Sequence, residues 1–161
     1  MIRTPIRFIT VGSLKESYLR EAVAEYKKRI SGSCRVEEIE LKECKLPENP
    51  SEGEIKTALA TEAKAILAAV PSRAYLIALC VEGKQYDSPE LAELLEKAGG
   101  EASELCFVIG SSHGLAPEVK NAAKLRLSVS KLTFPHQLMR VILYEAVYRC
   151  CQISKGSKYH K

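Results

Sequence analysis

Short runs of Ile, Val, Leu and Phe alternate along this chain with longer segments whose apolar residues recur at helical spacing. That alternation leaves few folds open. Strands that arrive singly between helices pair in parallel through crossovers, which gives an α/β domain with a mainly parallel sheet flanked by helices. Five strands and five helices are expected.

The first strand is read at Ile6 to Val11, ended by Gly12-Ser13, with a helix from about Lys15 to Ile30 that Ser31-Gly32-Ser33 stops. Arg35 to Leu41, apolar at Val36, Ile39 and Leu41 among acids, has the look of a solvated edge strand. Glu43 to Ser51, with two prolines, is loop, and Glu52 to Val70 is helix. Tyr75 to Val81 is apolar throughout, which predicts a central strand ending at the turn Glu82-Gly83-Lys84. Ser88-Pro89-Glu90 is expected to cap a third helix ending near Ala98. A fourth strand at Leu105 to Ile109, a short helix from Pro117 to Ala123 and a fifth strand at about Leu125 to Ser130 follow. The last helix, Pro135 to Ser154, is apolar nearly all the way round, so it must be buried in its own domain or against a second copy.

No repeat, low-complexity tract or linker divides the chain, so residues 1–161 are expected to form one domain, and 46% hydrophobic residues suffice for its core. The opening apolar run is too short for a signal peptide and no later run approaches a membrane span, which predicts a cytoplasmic protein. The six cysteines form neither a C-x-x-C pair nor a zinc-finger spacing; they read as reduced thiols, Cys80 and Cys106 lying inside strands. Charge is uneven. Residues 119–161 hold nine Lys or Arg against Glu145 alone, a balance of +8 in a chain of net +4. A solvated face would explain that, and so would a polyanionic partner such as RNA.

In a parallel sheet, ligands bind where strands end. The candidate loops are therefore Glu82 to Lys84, Gly110 to Gly114, and Ser130 to Pro135. Neither G-x-G-x-x-G nor G-x-x-x-x-G-K-[ST] is present, which removes most support for classical dinucleotide and P-loop readings. Glycines at 110 and 114 would let the backbone approach a flat ligand, and an adenine read by backbone groups suits such a loop better than a phosphate.

The segments Phe107-Val108-Ile109-Gly110-Ser111-Ser112-His113-Gly114-Leu115 and Leu127-Ser128-Val129-Ser130-Lys131-Leu132-Thr133-Phe134-Pro135-His136-Gln137-Leu138-Met139-Arg140-Val141 closely resemble one family. It is the RlmH family of bacterial 23S ribosomal RNA pseudouridine-N3 methyltransferases, within the SPOUT group. The likeness extends to Val11-Gly12, to Glu25-Tyr26, to Leu79 through Lys84 and to the closing Tyr159-His160-Lys161. One departure lies in the fourth loop, where Ser111 stands for the second Gly of the family's Ile-Gly-Gly pattern and His113 precedes Gly114.

The resemblance implies a C-terminal trefoil knot, a homodimer, a 23S ribosomal RNA substrate in the large subunit or assembled ribosome, and S-adenosylmethionine as cofactor without a metal. By matching position, Leu79, Gly110 and Val129, Ser130, Lys131, Leu132, Thr133 and Phe134 would line the cofactor pocket. Pseudouridine N3 must lose a proton before or during attack, and Arg140, His136, Tyr159 and His160 are the candidates to favour that loss. His136 and Arg140, four residues apart, share a helix face with Tyr144 one turn on. The plainer alternative is that Arg140 only pairs with Glu145 or a carbonyl. The tail is expected to order over the substrate, with Tyr159 stacking on a base and His160 near the reacting edge. Lys120, Lys124, Lys131, Arg149, Lys155 and Lys158 are the expected phosphate contacts. Two other classes remain open, a non-catalytic RNA-binding module of ribosome assembly and a small-molecule enzyme using another adenine nucleotide.

Overall fold

The computed structural model describes residues 1–160. Its elements run β1 (Ile6–Val11), α1 (Ser17–Ser31), β2 (Val36–Leu41), α2 (Glu52–Ala69), β3 (Tyr75–Lys84), α3 (Ser88–Glu101), β4 (Leu105–Ile109), α4 (Pro117–Ala122), β5 (Leu125–Leu127) and α5 (His136–Ser154). All five strands join one sheet in the order β2-β1-β4-β3-β5, every pair parallel. β4 holds the centre; β3 is interior beside it, and β2 is the half-buried edge that its alternating acids predicted.

Side chains alternate across the pleat, so neighbouring residues of one strand feed different cores. Phe8, Ile77, Leu105 and Phe107 pack with α1, α3 and α5, whereas Ile9, Ala78, Cys106 and Val108 pack with α2 and α4. With both faces covered, the inner strands need the apolar runs seen in the sequence. Phe8 lies between Phe107 and Tyr144, with ring centroids 5.5 and 3.9 Å away. Among the described residues no helix is long and apolar enough to cross a membrane.

Several boundaries move for local reasons. The third helix is capped by Asp87: its carboxylate accepts the Glu90 N–H at 2.8 Å while the Glu90 side chain accepts the Asp87 N–H at 2.9 Å. Ser88 is the first helical residue. The same helix continues past Ala98 to Glu101 because Gly99, lacking a Cβ, lets the Thr4 hydroxyl reach its carbonyl at 2.8 Å. The expected turn at Glu82 to Lys84 belongs to β3. After an irregularity the strand pairs again, Lys84 opposite Leu127, with the Ser128 N–H donating to the Lys84 carbonyl at 3.0 Å. A Cβ on Gly83 would stand 2.7 Å from the Arg126 carbonyl oxygen, so only glycine lets β5 cross there. β5 in turn stops at Leu127, not Ser130: the Ser128 hydroxyl donates to the Ser130 carbonyl and Ser130 Oγ accepts the Leu132 N–H, so local bonds replace the ladder.

The last helix is less enclosed than its composition predicts. Arg140, Leu143, Tyr144, Val147, Cys150 and Cys151 are buried against α1 and α3, but Val141, Ile142 and Ala146 are only partly covered and Leu138 is exposed.

Candidate functional site

The carboxyl ends of the strands, with the first two turns of α5 laid among them, form two chemically different hollows. Over β3 and β5 lies a small cavity of about 120 Å³ lined by Leu79, Cys80, Val81, Leu127, Ser128, Val129, Ser130, Leu132, Thr133, Phe134 and Met139. Its side chains are apolar, hydroxyl or thiol, with no carboxylate or cation. That lining suits an uncharged aromatic ring and sugar hydroxyls and would leave a phosphate unneutralised. The chemistry of the donor set therefore fits the adenosine end of S-adenosylmethionine. The enclosed volume holds one part of such a ligand, and the remainder would extend past the exposed Val81 and Leu132, 69% and 70% accessible.

Of the expected cofactor residues, Leu79, Val129, Ser130, Leu132, Thr133 and Phe134 thus share one cavity. Lys131 is in the same loop, exposed, and not in the lining. Gly110 does not line it either. It lies beneath its own loop, where a Cβ would come within 2.2 Å of the Gly114 carbonyl oxygen. The loop closes through a Ser111–Gly114 bridge, with Gly114 at φ +85°.

On the other side of α5, over β1 and β2, are two adjoining hollows that share Ser13 and Glu40. One, of about 570 Å³, is lined by Gly12, Lys15, Lys42, Ser112 and His136 among others; the second, of about 650 Å³, by Thr10, Arg20, Lys28, Glu38, Arg140 and Tyr144 among others. His136 and Arg140 therefore face the same groove, as their four-residue spacing predicted. Arg140 is 3% exposed. Its Nη2 donates to the Gly12 carbonyl at 3.0 Å and its Nη1 to Glu40 at 3.1 Å, while its Nε has no partner among the described residues. Glu145 pairs instead with Arg149, at 2.8 Å. The positive φ of Gly12, +90°, belongs to the turn whose carbonyl meets the guanidinium. Tyr144 is buried and its hydroxyl donates to Glu38 at 2.6 Å; burial, reinforced by that carboxylate, holds the phenol protonated well above its usual range.

Tyr159 and His160 are at neither hollow. After a turn at Gly156 the tail folds back on its own α5. The Tyr159 ring stands edge-on to Tyr148 at 4.8 Å and under the Arg149 guanidinium at 4.8 Å, its hydroxyl donates to Glu145 at 3.3 Å, and His160 Nδ1 lies 3.3 Å from Arg149 Nη1. Lys161, the last residue of the expected tail, lies outside the described residues. Among the expected phosphate contacts, Lys120 is paired with Glu82 at 2.5 Å, Lys124 sits over the Tyr75 ring, and Arg149 is engaged as above.

Residues that sequence reasoning passed over include Glu40, which pairs with Arg140, and Glu62. Glu62 is 5% exposed and accepts hydrogen bonds from the Ser111 hydroxyl and the Cys44 N–H. Its signal was positional: it falls four residues from both Ala58 and Ile66, on the buried face of α2.

Known proteins resemble this sequence along nearly its whole length. Residues 4–160 match the family described as Predicted SPOUT methyltransferase. Ribosomal RNA large subunit methyltransferase H of Streptococcus thermophilus strain CNRZ 1066 is 49% identical over 157 residues, covering 97% of this chain and 99% of that protein. The proteins of the same name from Bacillus pumilus strain SAFR-032 and Clostridioides difficile strain 630 are 46% and 45% identical over the same coverage. Among solved structures, the SpoU methyltransferase AviRb of Streptomyces viridochromogenes, in complex with AdoMet, aligns at TM-score 0.48 and 9% identity, over 98% of this chain and 61% of that one. The chain belongs to the SPOUT methyltransferase family.

Proposed function

We infer that this chain transfers a methyl group from S-adenosylmethionine to N3 of a pseudouridine in 23S ribosomal RNA of the large subunit. It would act in the cytoplasm as one knotted domain paired with a second copy. The observation that carries the reading is the division of the strand ends by α5: an uncharged cavity on one side and a charged groove holding His136 and Arg140 on the other. The name shared by the relatives, ribosomal RNA large subunit methyltransferase H, supports it. So do the exposed apolar side chains of Leu138, Val81 and Leu132, which a second copy could cover.

When bound, the cofactor supplies a methyl group on a sulfonium centre. The protein's work is positional and electrostatic. The cavity holds an uncharged ring, and the loop from Val129 to Phe134 excludes water from it. The cation of Arg140 stabilises negative charge as N3 loses its proton, and a ring nitrogen of His136 receives that proton directly or through water. Tyr159 and His160 would serve after leaving the α5 shelf or by reaching a second copy's groove.

The test is calorimetric titration with S-adenosylmethionine, followed by methyl transfer to ribosomes lacking the modification. Binding with transfer to one pseudouridine is expected. Deleting Tyr159 to Lys161 should abolish transfer and leave binding nearly unchanged. A chain that binds RNA but no cofactor would be the non-catalytic module instead.

A further inference from the structure

The two hollows over β1 and β2 form a continuous groove whose lining holds six Lys or Arg side chains against three carboxylates. Two of those carboxylates are already engaged, Glu40 by Arg140, and Glu38 by Tyr144 and Lys27. Lys15, Lys28 and Lys42 are exposed and have no ion-pair partner among the described residues. The buried Arg140 lies in the groove's lining, bonded to the Glu40 that both hollows share, and its Nε lacks a hydrogen-bond partner among the described residues. On the first turn of α1, three residues after Lys15, stands Tyr18, 66% exposed. An exposed aromatic together with exposed ammonium groups is what a single strand of nucleic acid uses, bases stacking on the ring and phosphates meeting the cations. In the basic C-terminal third, Lys120 and Arg149 are paired internally, while Lys131, Lys155 and Lys158 are exposed but outside this groove.

We propose that this groove, formed by α1, the ends of β1 and β2 and the first turns of α5, binds the single-stranded RNA flanking the methylated nucleotide. Lys15, Lys28 and Lys42 meet phosphates, Tyr18 stacks on a neighbouring base, and the strand leads the target past His136 toward the cofactor cavity. This rests on the functional reading above and adds to it the surface that selects the substrate.

The test compares the unaltered chain with a triple variant, Lys15→Gln, Lys28→Gln and Lys42→Gln, with the single variant Tyr18→Ala, and with a control altered at exposed lysines of α2 and α3, Lys64→Gln and Lys97→Gln. All positions are exposed, so folding is not at stake. Methyl transfer to unmodified ribosomes is measured from 50 to 200 mM salt, with S-adenosylmethionine binding measured alongside. The triple variant should raise KM for ribosomes about tenfold or more and flatten the slope of log(kcat/KM) against log salt by about 2, as expected for about three lost phosphate contacts. Tyr18→Ala should raise KM without changing the slope, and cofactor affinity should be the same throughout. If the triple variant and the control keep the unaltered slope and KM, the groove is not the RNA surface. If the unaltered chain binds cofactor but transfers nothing, the functional reading falls and takes the groove with it.

Discussion

The carboxylate of Glu62 accepts a hydrogen bond from the Ser111 hydroxyl at 3.1 Å, both residues buried, and so ties the middle of α2 to the loop that follows β4. The other carboxylate oxygen accepts the Cys44 N–H at 3.0 Å, drawing in the loop after β2. One side chain thus holds two of the loops at the carboxyl edge of the sheet.

Removing the hub should cost more than removing a spoke. Ser111→Ala deletes one hydrogen bond and should lower stability by about 1 kcal/mol. Glu62→Ala strands a buried hydroxyl and a backbone N–H together, and should cost roughly 2–3 kcal/mol. Urea unfolding of the two variants measures the difference; equal losses would mean that the carboxylate does not join the loops.

The two glycines of that loop should respond differently to a methyl group. At Gly114 nothing lies within 4 Å of a new Cβ, so Gly114→Ala meets only the strain of φ +85°, about 1 kcal/mol. At Gly110 the new atom would fall 2.2 Å from the Gly114 carbonyl oxygen, and backbone must move. Gly110→Ala should cost more, on the order of 3 kcal/mol, and weaken S-adenosylmethionine binding about tenfold through the displaced loop. Calorimetry on both variants tests whether this loop, which does not line the cavity, still holds it in shape.

Glycine also marks how far the sequence could be read, at Gly83 above all. Strand and helix identities followed from period because burial on both faces demands apolar runs at β1, β3 and β4. What period could not reveal was set by contacts distant along the chain. Gly83 reads as a turn residue until β5 is seen crossing it, and Ser128 and Ser130 read as strand until their hydroxyls take local bonds. For the site, the loop from Val129 to Phe134 and its partner Leu79 were legible as strand ends, as was the shared face of His136 and Arg140. Glu40, Glu62 and the groove cations of α1 were not, because a charged residue in an amphipathic segment looks solvated until its partner is known.

Arg140 offers a separation of chemistry from stability. Arg140→Met keeps the hydrophobic stem and removes the charge; Glu40, whose side chain is 53% exposed, then faces water and does not become a buried orphan. Stability should fall by only about 1–2 kcal/mol, for the lost bonds to Gly12 and Glu40. Methyl transfer should fall by about 10²-fold in kcat with cofactor affinity unchanged, the size seen when one group stabilising developing charge is removed. Loss of kcat in proportion to loss of folded protein would assign Arg140 to structure alone.

The buried thiols set an alkaline limit on the fold. Cys106 is 0% and Cys150 1% exposed, and burial pushes both thiols up to about 12; nearby Arg7 opposes the shift at Cys106, and Glu145 adds to it at Cys150. In the unfolded chain these groups ionise near 9. Below that pH both states keep the proton and the thiols leave stability independent of pH. Between about 9 and 12 the unfolded chain releases protons that the folded chain retains, so stability falls as pH rises, with a limiting slope of about 1.4 kcal/mol per pH unit for each group. Buried Tyr144 extends the decline in the same direction above the ordinary range of a phenol. Urea midpoints measured with reductant from pH 8 to 11.5 should therefore drop steadily above 9, and Cys106→Ala or Cys150→Ala should each make the drop shallower. A midpoint flat through that window would mean that the thiols ionise as readily folded as unfolded, and that water reaches the β4 and α5 core.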